Sequence, residues 1–567
     1  MSTRQRLETL QRLGRQATIV ACMLWLIFGV LQHGYQLQWV RGQDVLHIAA
    51  DACVVAAYAF GIVVRFLLFR QEGKSARRFW IDLSFLVFSL FLAWTLHAGT
   101  AAVILRRAQG GFVLLAATPW GRRYLTALAR RPALVMVLSF AVTIGVGTVL
   151  LTFAAATEDG GGAPFLTAFF TATSATCVTG LIVVDTPTYF SLFGELVILG
   201  LIQVGGLGIM TLSAALFVLM GRRLTARQRR VLSSVLDETG LRDVGVLVQN
   251  IFQATMIIEG LGALVLFLRW YGDFASIAET AYMSIFHSVS AFCNAGFSLL
   301  SLNLMDYVAD PVVNLVIALL IVLGGLGFTV LSDLYAHRSL RRRGPGLSTH
   351  TRVVLLTSAA LILVGGIALF YFEYAHSLAP YSVPVKLQAA FFQSVSARTA
   401  GFNSIDLTRI TPVAALVFTA LMFIGGSPGG TAGGIKTSTF ALLVLSVRTI
   451  IRGREEIEVF GRSISKENLY RALAVSMASF GIVFVAFTWL LASQAVDYVS
   501  LLFESVSAFG TVGLSMGVTA QLTAFGKVLI IALMFAGRVG PLSLALAVGE
   551  EMERLVYRYP TTKLLVG

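Results

Sequence analysis

Four short phrases along this 567-residue chain place a glycine among small and hydroxyl-bearing residues at matching positions. They read Ser174-Ala175-Thr176-Cys177-Val178-Thr179-Gly180-Leu181, Ser290-Ala291-Phe292-Cys293-Asn294-Ala295-Gly296-Phe297, Ser396-Ala397-Arg398-Thr399-Ala400-Gly401-Phe402 and Ser507-Ala508-Phe509-Gly510-Thr511-Val512-Gly513-Leu514. The third is one residue shorter, and successive key glycines lie 105 to 116 residues apart. The chemistry on offer is that of backbone carbonyls. Glycine tolerates main-chain angles that a side chain penalises, so a tight glycine loop can aim carbonyl oxygens at one point, where they replace the water around a cation. One such loop is weak evidence. Four at matching phase, each between long apolar stretches, predict a four-fold pore ringed by carbonyls. The candidate ion-contacting residues are Cys177, Val178, Thr179 and Gly180; Asn294, Ala295 and Gly296; Thr399, Ala400 and Gly401; and Thr511, Val512 and Gly513. No ring of four acids accompanies them, as a divalent-cation site would usually want.

These loops need elements to hold them. Hydrophobic residues make up 57% of the chain and charged ones 13%, and apolar runs of about 20 residues recur, the length that crosses a hydrocarbon core. An all-α integral membrane protein is therefore expected. From about residue 134 the pattern is span, short half-helix, glycine phrase, span, repeated four times. First spans fall near 134–156, 247–270, 353–375 and 470–492, half-helices near 165–176, 279–292, 385–397 and 498–509, and second spans near 190–219, 311–334, 411–447 and 523–549. The half-helices are too short to cross. They fit re-entrant segments, whose carbonyl ends add partial negative charge beside a cation. The units are expected at 134–222, 223–340, 341–455 and 456–567, after an N-terminal module at 1–133. That module holds spans near 17–33, 45–69 and 79–97 and a poor fourth candidate at 99–118. Its roles are left between packing and a faint likeness to voltage-sensor helices, and no cleavage site follows its first apolar run convincingly.

The second spans carry their own glycine signature. Gly205-Gly206-Leu207-Gly208 and Gly324-Gly325-Leu326-Gly327 read best as close packing of helices through small residues. Segment 425–434 differs: Gly425, Gly426, Gly429, Gly430, Gly433 and Gly434, with Pro428, cannot remain a straight helix. It predicts a broken helix with a mobile loop, 425–437, closed by Lys436. The fourth signature contains Arg538, a cation at membrane depth that must face water, an acid or carbonyls. It either staples the loop by donating to carbonyls or forms an electrostatic barrier to ions. Glu259, Glu373 and Glu504 are expected to partner basic groups.

Formal net charge is +14, gathered at 222–230, 338–343 and 448–466, always between a second span and the next first span. The positive-inside tendency makes those links cytoplasmic and gives all four units one orientation, and attraction to anionic lipid is compatible with that. Nucleic-acid binding has no support. The four cysteines form no paired motif, which argues against zinc or a disulfide framework. Neither the histidines nor the acids form a catalytic constellation, so no enzyme is expected.

Together, the four phrases, Gly-Gly-Leu-Gly, the 427–436 segment and Arg538 resemble the Trk/Ktr/HKT superfamily of potassium uptake proteins, and within it the bacterial TrkH/KtrB membrane subunit, over about residues 130–550. The resemblance implies four M1–P–M2 repeats in pseudo-four-fold arrangement, a homodimer in the cytoplasmic (inner) membrane, and TrkA/KtrA-like regulatory subunits with RCK domains. It implies potassium at the four loops, with 425–437, Lys436 and Arg538 as gating elements. In related plant proteins a serine at the first key glycine accompanies sodium preference, and Gly180 here favours potassium. The chain has no Walker-type phosphate loop, so ATP/ADP or NAD(H) would act only through a partner, and no cofactor is expected on the chain itself. Two other readings stay open: a sodium- or proton-coupled symporter, and a non-conducting accessory subunit of an ion pump.

Overall fold

The computed structural model describes residues 132–219, 244–339 and 346–541. The N-terminal module up to residue 131, the basic links at 220–243 and 340–345 and the tail from 542 lie outside the described residues, as do the expectations attached to them.

The described chain is helical almost throughout. Helix α1 (Pro132–Leu151), the short α2 (Phe165–Thr176) and α3 (Leu192–Leu219) come first. Then follow α4 (Val244–Arg269), the short α5 (Ile277–Cys293), α6 (Pro311–Leu326) and α7 (Phe328–Ser339). Next are α8 (Thr349–Glu373), the short α9 (Val383–Ser396), α10 (Pro412–Phe423) and α11 (Thr437–Ile451). The last set is α12 (Lys466–Ser493), the short α13 (Tyr498–Gly510) and α14 (Ala524–Val539). Starts are marked by local chemistry. Asp310 and Thr411 each accept hydrogen bonds from amides in the first turn, and each is followed by proline, whose missing N–H costs nothing there.

Among the described residues three helices, Asn250–Arg269, Thr349–Glu373 and Lys466–Ser493, are long and apolar enough to cross a membrane, and the bent pair α6–α7 makes a fourth if it is one span. Their outward faces expose Ile257, Leu268, Val364, Ile367, Met477 and Phe480, an apolar exterior that suits hydrocarbon rather than water. The interior is the reverse of a simple oil drop. The short helices are the most buried elements, and their sequences mix Phe170, Phe286, Phe392 and Phe503 with serines and threonines. Three of the short helices pack on a helix of the preceding set: α5 on α3, α9 on α6, α13 on α10. Contact of α2 with α14 then closes the circle.

Two departures from the sequence-based expectation are instructive. First, α3 and α6 do not run straight through their glycine signatures. Gly208 (φ 72°, ψ 165°) kinks α3, and Gly327 (φ 87°, ψ 147°) ends α6, where the next helix turns away by 99°. Gly540 (φ 86°) likewise follows α14. The close packing expected there is also present: a Cβ on Gly206 would strike Cys293, and one on Gly324 or Gly537 would strike the carbonyl of Phe292 or Phe509. Second, the chain is not wholly α. Strands β1 (Ile457–Val459) and β2 (Arg462–Ile464) form an antiparallel hairpin between α11 and α12, turned at Phe460 (φ 49°) and Gly461 (φ 74°). Two successive positive φ values are what a tight two-residue hairpin turn needs.

Candidate functional site: a closed ring of four glycine loops

Each short helix ends in one of the four phrases. Two residues before each key glycine the backbone is left-handed: Val178 (φ 56°), Asn294 (φ 62°), Thr399 (φ 73°) and Thr511 (φ 51°). The glycines are left-handed too, at φ 89° for Gly180, 70° for Gly296, 78° for Gly401 and 94° for Gly513. The residues between, Thr179, Ala295, Ala400 and Val512, are not. A backbone that alternates hand in this way turns successive carbonyls to one side. Three of the four left-handed residues before the glycines are β-branched, the type least suited to that conformation. Strain of roughly 1–3 kcal/mol at each is the kind that clusters at working sites.

The loops meet one another in order. A Cβ on Gly180 would run into the carbonyl oxygen of Ala295, one on Gly296 into that of Ala400, one on Gly401 into that of Val512, and one on Gly513 into that of Thr179. The four penultimate carbonyls and four glycines therefore form a closed circle in which there is no room for a side chain.

The opening serine of each phrase holds the loop shut. Ser290 Oγ donates to the Phe297 carbonyl (2.7 Å), Ser396 Oγ to that of Phe402, and Ser507 Oγ to that of Leu514 (2.7 Å). Ser174 Oγ instead accepts from the Gly180 amide (3.1 Å). Main-chain bonds from Thr179, Ala295 and Val512 back to the same serines' carbonyls complete the turns. From sequence alone these serines carry no assigned role. The recurrence of serine six residues ahead of the key glycines, five in the short copy, was the available signal.

Directly against this ring lie the glycines of the second spans. Gly205 adjoins Val178, Gly325 adjoins Asn294, Gly425 adjoins Thr399 and Gly433 adjoins Thr511. The 425–437 segment is irregular, as its composition requires. Its ends are pinned by Gly425 N–H to the Ile435 carbonyl (2.8 Å) and Ile435 N–H to the Phe423 carbonyl (3.3 Å). Its middle leans on α6: the Ser427 amide donates to the Gly325 carbonyl (2.9 Å) and the Thr431 amide to that of Gly324 (3.2 Å). Those carbonyls are free to accept because α6 stops at Gly327. Lys436 Nζ donates to the Ala432 carbonyl (2.6 Å), and Arg538 donates to the carbonyls of Thr431 and Gly205. Arg538 thus ties α14 both to the loop and to α3. Arg398, a buried cation unremarked from sequence, reaches the Gly425 carbonyl (3.2 Å) and the Ser358 carbonyl (3.4 Å).

Among the described residues, the three acids expected to partner basic groups bond amides and hydroxyls instead. Glu259 accepts from Gln203 Nε2 (3.3 Å). Glu373 accepts from the amide (2.8 Å) and hydroxyl (2.6 Å) of Thr411 and from the Ser377 amide (3.2 Å). Glu504 accepts from the hydroxyls of Ser515 and Thr519. Amide and hydroxyl donors serve because each acid is buried. Among the described residues there is no group of three or more His, Cys, Asp or Glu that could hold a metal.

A helical membrane protein organised about a ring of glycine-loop carbonyls has the architecture of an ion transport protein. The comparisons make the class specific: residues 100–555 match the TrkH family, described as a cation transport protein, and the chain belongs to that family. Ktr system potassium uptake protein B of Bacillus subtilis (strain 168) is 40% identical over 439 residues, covering 77% of this chain and 97% of that protein. The protein of the same name from Vibrio alginolyticus is 38% identical over 435 residues, covering 76% and 94%. Potassium/sodium uptake protein NtpJ of Enterococcus hirae is 34% identical over 444 residues, covering 77% and 97%. The crystal structure of the potassium transporter TrkH from Vibrio parahaemolyticus superposes with a TM-score of 0.61 over 94% of this chain and 98% of that one, at 18% identity, a likeness of fold.

Proposed function

We propose that this chain is the membrane subunit of a potassium uptake system, conducting K+ into the cell through four M1–P–M2 repeats whose loops form one selectivity filter. The observation that carries the reading is the closed ring of Thr179, Ala295, Ala400 and Val512 carbonyls against Gly180, Gly296, Gly401 and Gly513. Carbonyl oxygens at fixed spacing take over the hydration shell of a cation, and the ends of four short helices add partial negative charge beside it. Potassium rather than sodium is favoured because all four key positions are glycine, and because the Ktr relatives are potassium uptake proteins by name.

In this reading segment 425–437 is the gate. It lies across the cytoplasmic side of the filter, held by carbonyl contacts and by Arg538, and ions pass when it withdraws. Inward flow needs no further energy source, since an inside-negative potential contributes about 2.3 kcal/mol per charge per 100 mV. The chain sits in the cytoplasmic membrane as a homodimer. TrkA/KtrA-like subunits with RCK domains bind its cytoplasmic face and confer any response to ATP/ADP or NAD(H). The name of the Ktr relatives, which describes a system, supports a partnered protein.

The test is complementation. Expressed in a bacterial strain lacking its own potassium uptake systems, together with its regulatory partner, the chain restores growth at submillimolar potassium, and Gly296→Asp abolishes the rescue. Growth no better than an empty vector, with the protein present in the membrane, would reject the proposal.

A further inference from the structure

A second set of side chains, outside the ring, faces three of the four loops. On α5, His287 Nε2 lies 3.0 Å from Ser298 Oγ, and His287 Nδ1 lies 2.8 Å from the Met283 carbonyl. A carbonyl only accepts, so Nδ1 carries the proton and, in the neutral ring, Nε2 accepts from the Ser298 hydroxyl. On α13, Glu504 accepts from Ser515 Oγ and from Thr519 Oγ1 (3.0 Å). On α9, Gln393 Nε2 is 3.3 Å from Ser404 Oγ. All three helix residues are wholly buried.

The positions correspond. His287 and Glu504 each stand nine residues before their key glycine, with the bonded serine two residues after it. In the shortened copy Gln393 stands eight before Gly401 and Ser404 three after. Ser298 and Ser515 also accept from the amide two residues on, Leu300 (2.9 Å) and Gly517 (3.0 Å). The same device therefore recurs with three different side-chain chemistries, His287 and Glu504 accepting and Gln393 donating, joining the helix ahead of the ring to the chain leaving it. In the first copy the corresponding residues are Thr171 and Ile182, and isoleucine has no polar atom to bond.

Helix packing alone does not call for this. A buried His, Gln or Glu costs stability unless bonded, and Gln393 and Glu504 each leave one side-chain oxygen, Oε1 and Oε2, without a partner. Such a cost at equivalent places is intelligible if the bonds fix the far end of each loop. Gly296, Gly401 and Gly513 are each followed within three residues by the braced serine, so the carbonyl of Phe297, Phe402 or Leu514 lies between the phrase serine that bonds it and the brace.

Resting on the filter reading above, we propose that His287, Gln393 and Glu504 are positioning residues that fix the outer ends of three filter loops and thereby set cation discrimination, while the loop of Gly180 is left unbraced. The span of a carbonyl ring decides which ion it fits, so slack in one loop lets the ring contract around the smaller ion.

The experiment compares K+ and Na+ flux through the purified full-length chain, with its regulatory partner, in liposomes under an imposed potential. Glu504→Leu, Gln393→Leu and Ser515→Ala each remove one brace and are expected to lower the K+/Na+ flux ratio about fivefold or more. Glu504→Gln keeps an acceptor for both hydroxyls and is expected to restore most of the ratio. Ser298→Ala tests the His287 brace with little change of volume. A merely structural role would reduce folded protein and scale both fluxes together, leaving the ratio unmoved. An unchanged ratio in Ser515→Ala, Ser298→Ala and Gln393→Leu, beside a potassium-selective parent, would overturn the brace alone. A parent that does not discriminate would instead overturn the filter reading beneath it.

Discussion

Replacing Gly296 by alanine adds one methyl group within the ring. Two costs follow. The residue sits at φ +70°, where a Cβ costs about 1–2 kcal/mol. The new methyl carbon would also lie 2.8 Å from the Ala400 carbonyl oxygen and 2.9 Å from the Gly401 Cα. Non-bonded atoms of this kind are comfortable at about 3.5 Å, so the neighbouring loop must retreat by roughly 0.5 Å or more. Both colliding groups are backbone, which cannot swing aside as a long side chain would. Gly272→Ala is the control, because it shares the positive φ (+94°) but has nothing within 4 Å of the added carbon. Gly272→Ala is expected to lose about 1–2 kcal/mol of stability and Gly296→Ala more, read from thermal unfolding in detergent. Only Gly296→Ala is expected to change discrimination, lowering the K+/Na+ flux ratio in liposomes at least about tenfold, equivalent to about 1.4 kcal/mol. A wild-type ratio in a folded Gly296→Ala protein would refute the claim that these loops form the selective ring.

Other outcomes follow from the same contacts. Arg538→Gln weakens the ties to the Thr431 and Gly205 carbonyls and removes the charge, so cation flux at rest should rise; unchanged flux in a normally folded variant would count against both roles. Glu373→Ala strands the Thr411 amide and hydroxyl and the Ser377 amide in a buried site, and should cost about 2–3 kcal/mol by thermal unfolding, with Glu373→Gln costing less. Gly537→Ala drives a methyl group into the Phe509 carbonyl and should sharply reduce the yield of folded protein on size exclusion. Asp497 caps α13 through the Ser500 amide, and that bond holds its carboxyl below the ordinary range. Asp497→Ala should therefore cost about 1 kcal/mol at neutral pH. Because the folded-state pKa is depressed, the difference from the parent is complete above about pH 4 and shrinks as pH falls further.

Much of this architecture was legible in the residues. The half-helices were placed within a few residues because short apolar runs ending in Gly-containing phrases have few other uses at membrane depth. Segment 425–434 announced its break through six glycines and a proline. The kinks at Gly208 and Gly327 were less visible, because Gly-Gly-Leu-Gly serves close packing and chain reversal equally well, and here it does both. The left-handed Val178, Thr399 and Thr511 run against intrinsic preference, so only tertiary context could reveal them. Partners of the buried acids were misassigned for a related reason. Sequence counts arginines but is blind to hydroxyls that folding brings alongside, such as Thr411 beside Glu373 and Ser515 beside Glu504. The β1–β2 hairpin lay within a basic stretch whose charge suggested only topology.

Cation flux into liposomes containing the purified chain, with potassium set against sodium under an inside-negative potential, tests the central claim most directly. The account predicts potassium-selective entry driven by the potential alone and lost in Gly296→Asp. Equal entry of sodium, or entry that requires an added sodium or proton gradient, would contradict it.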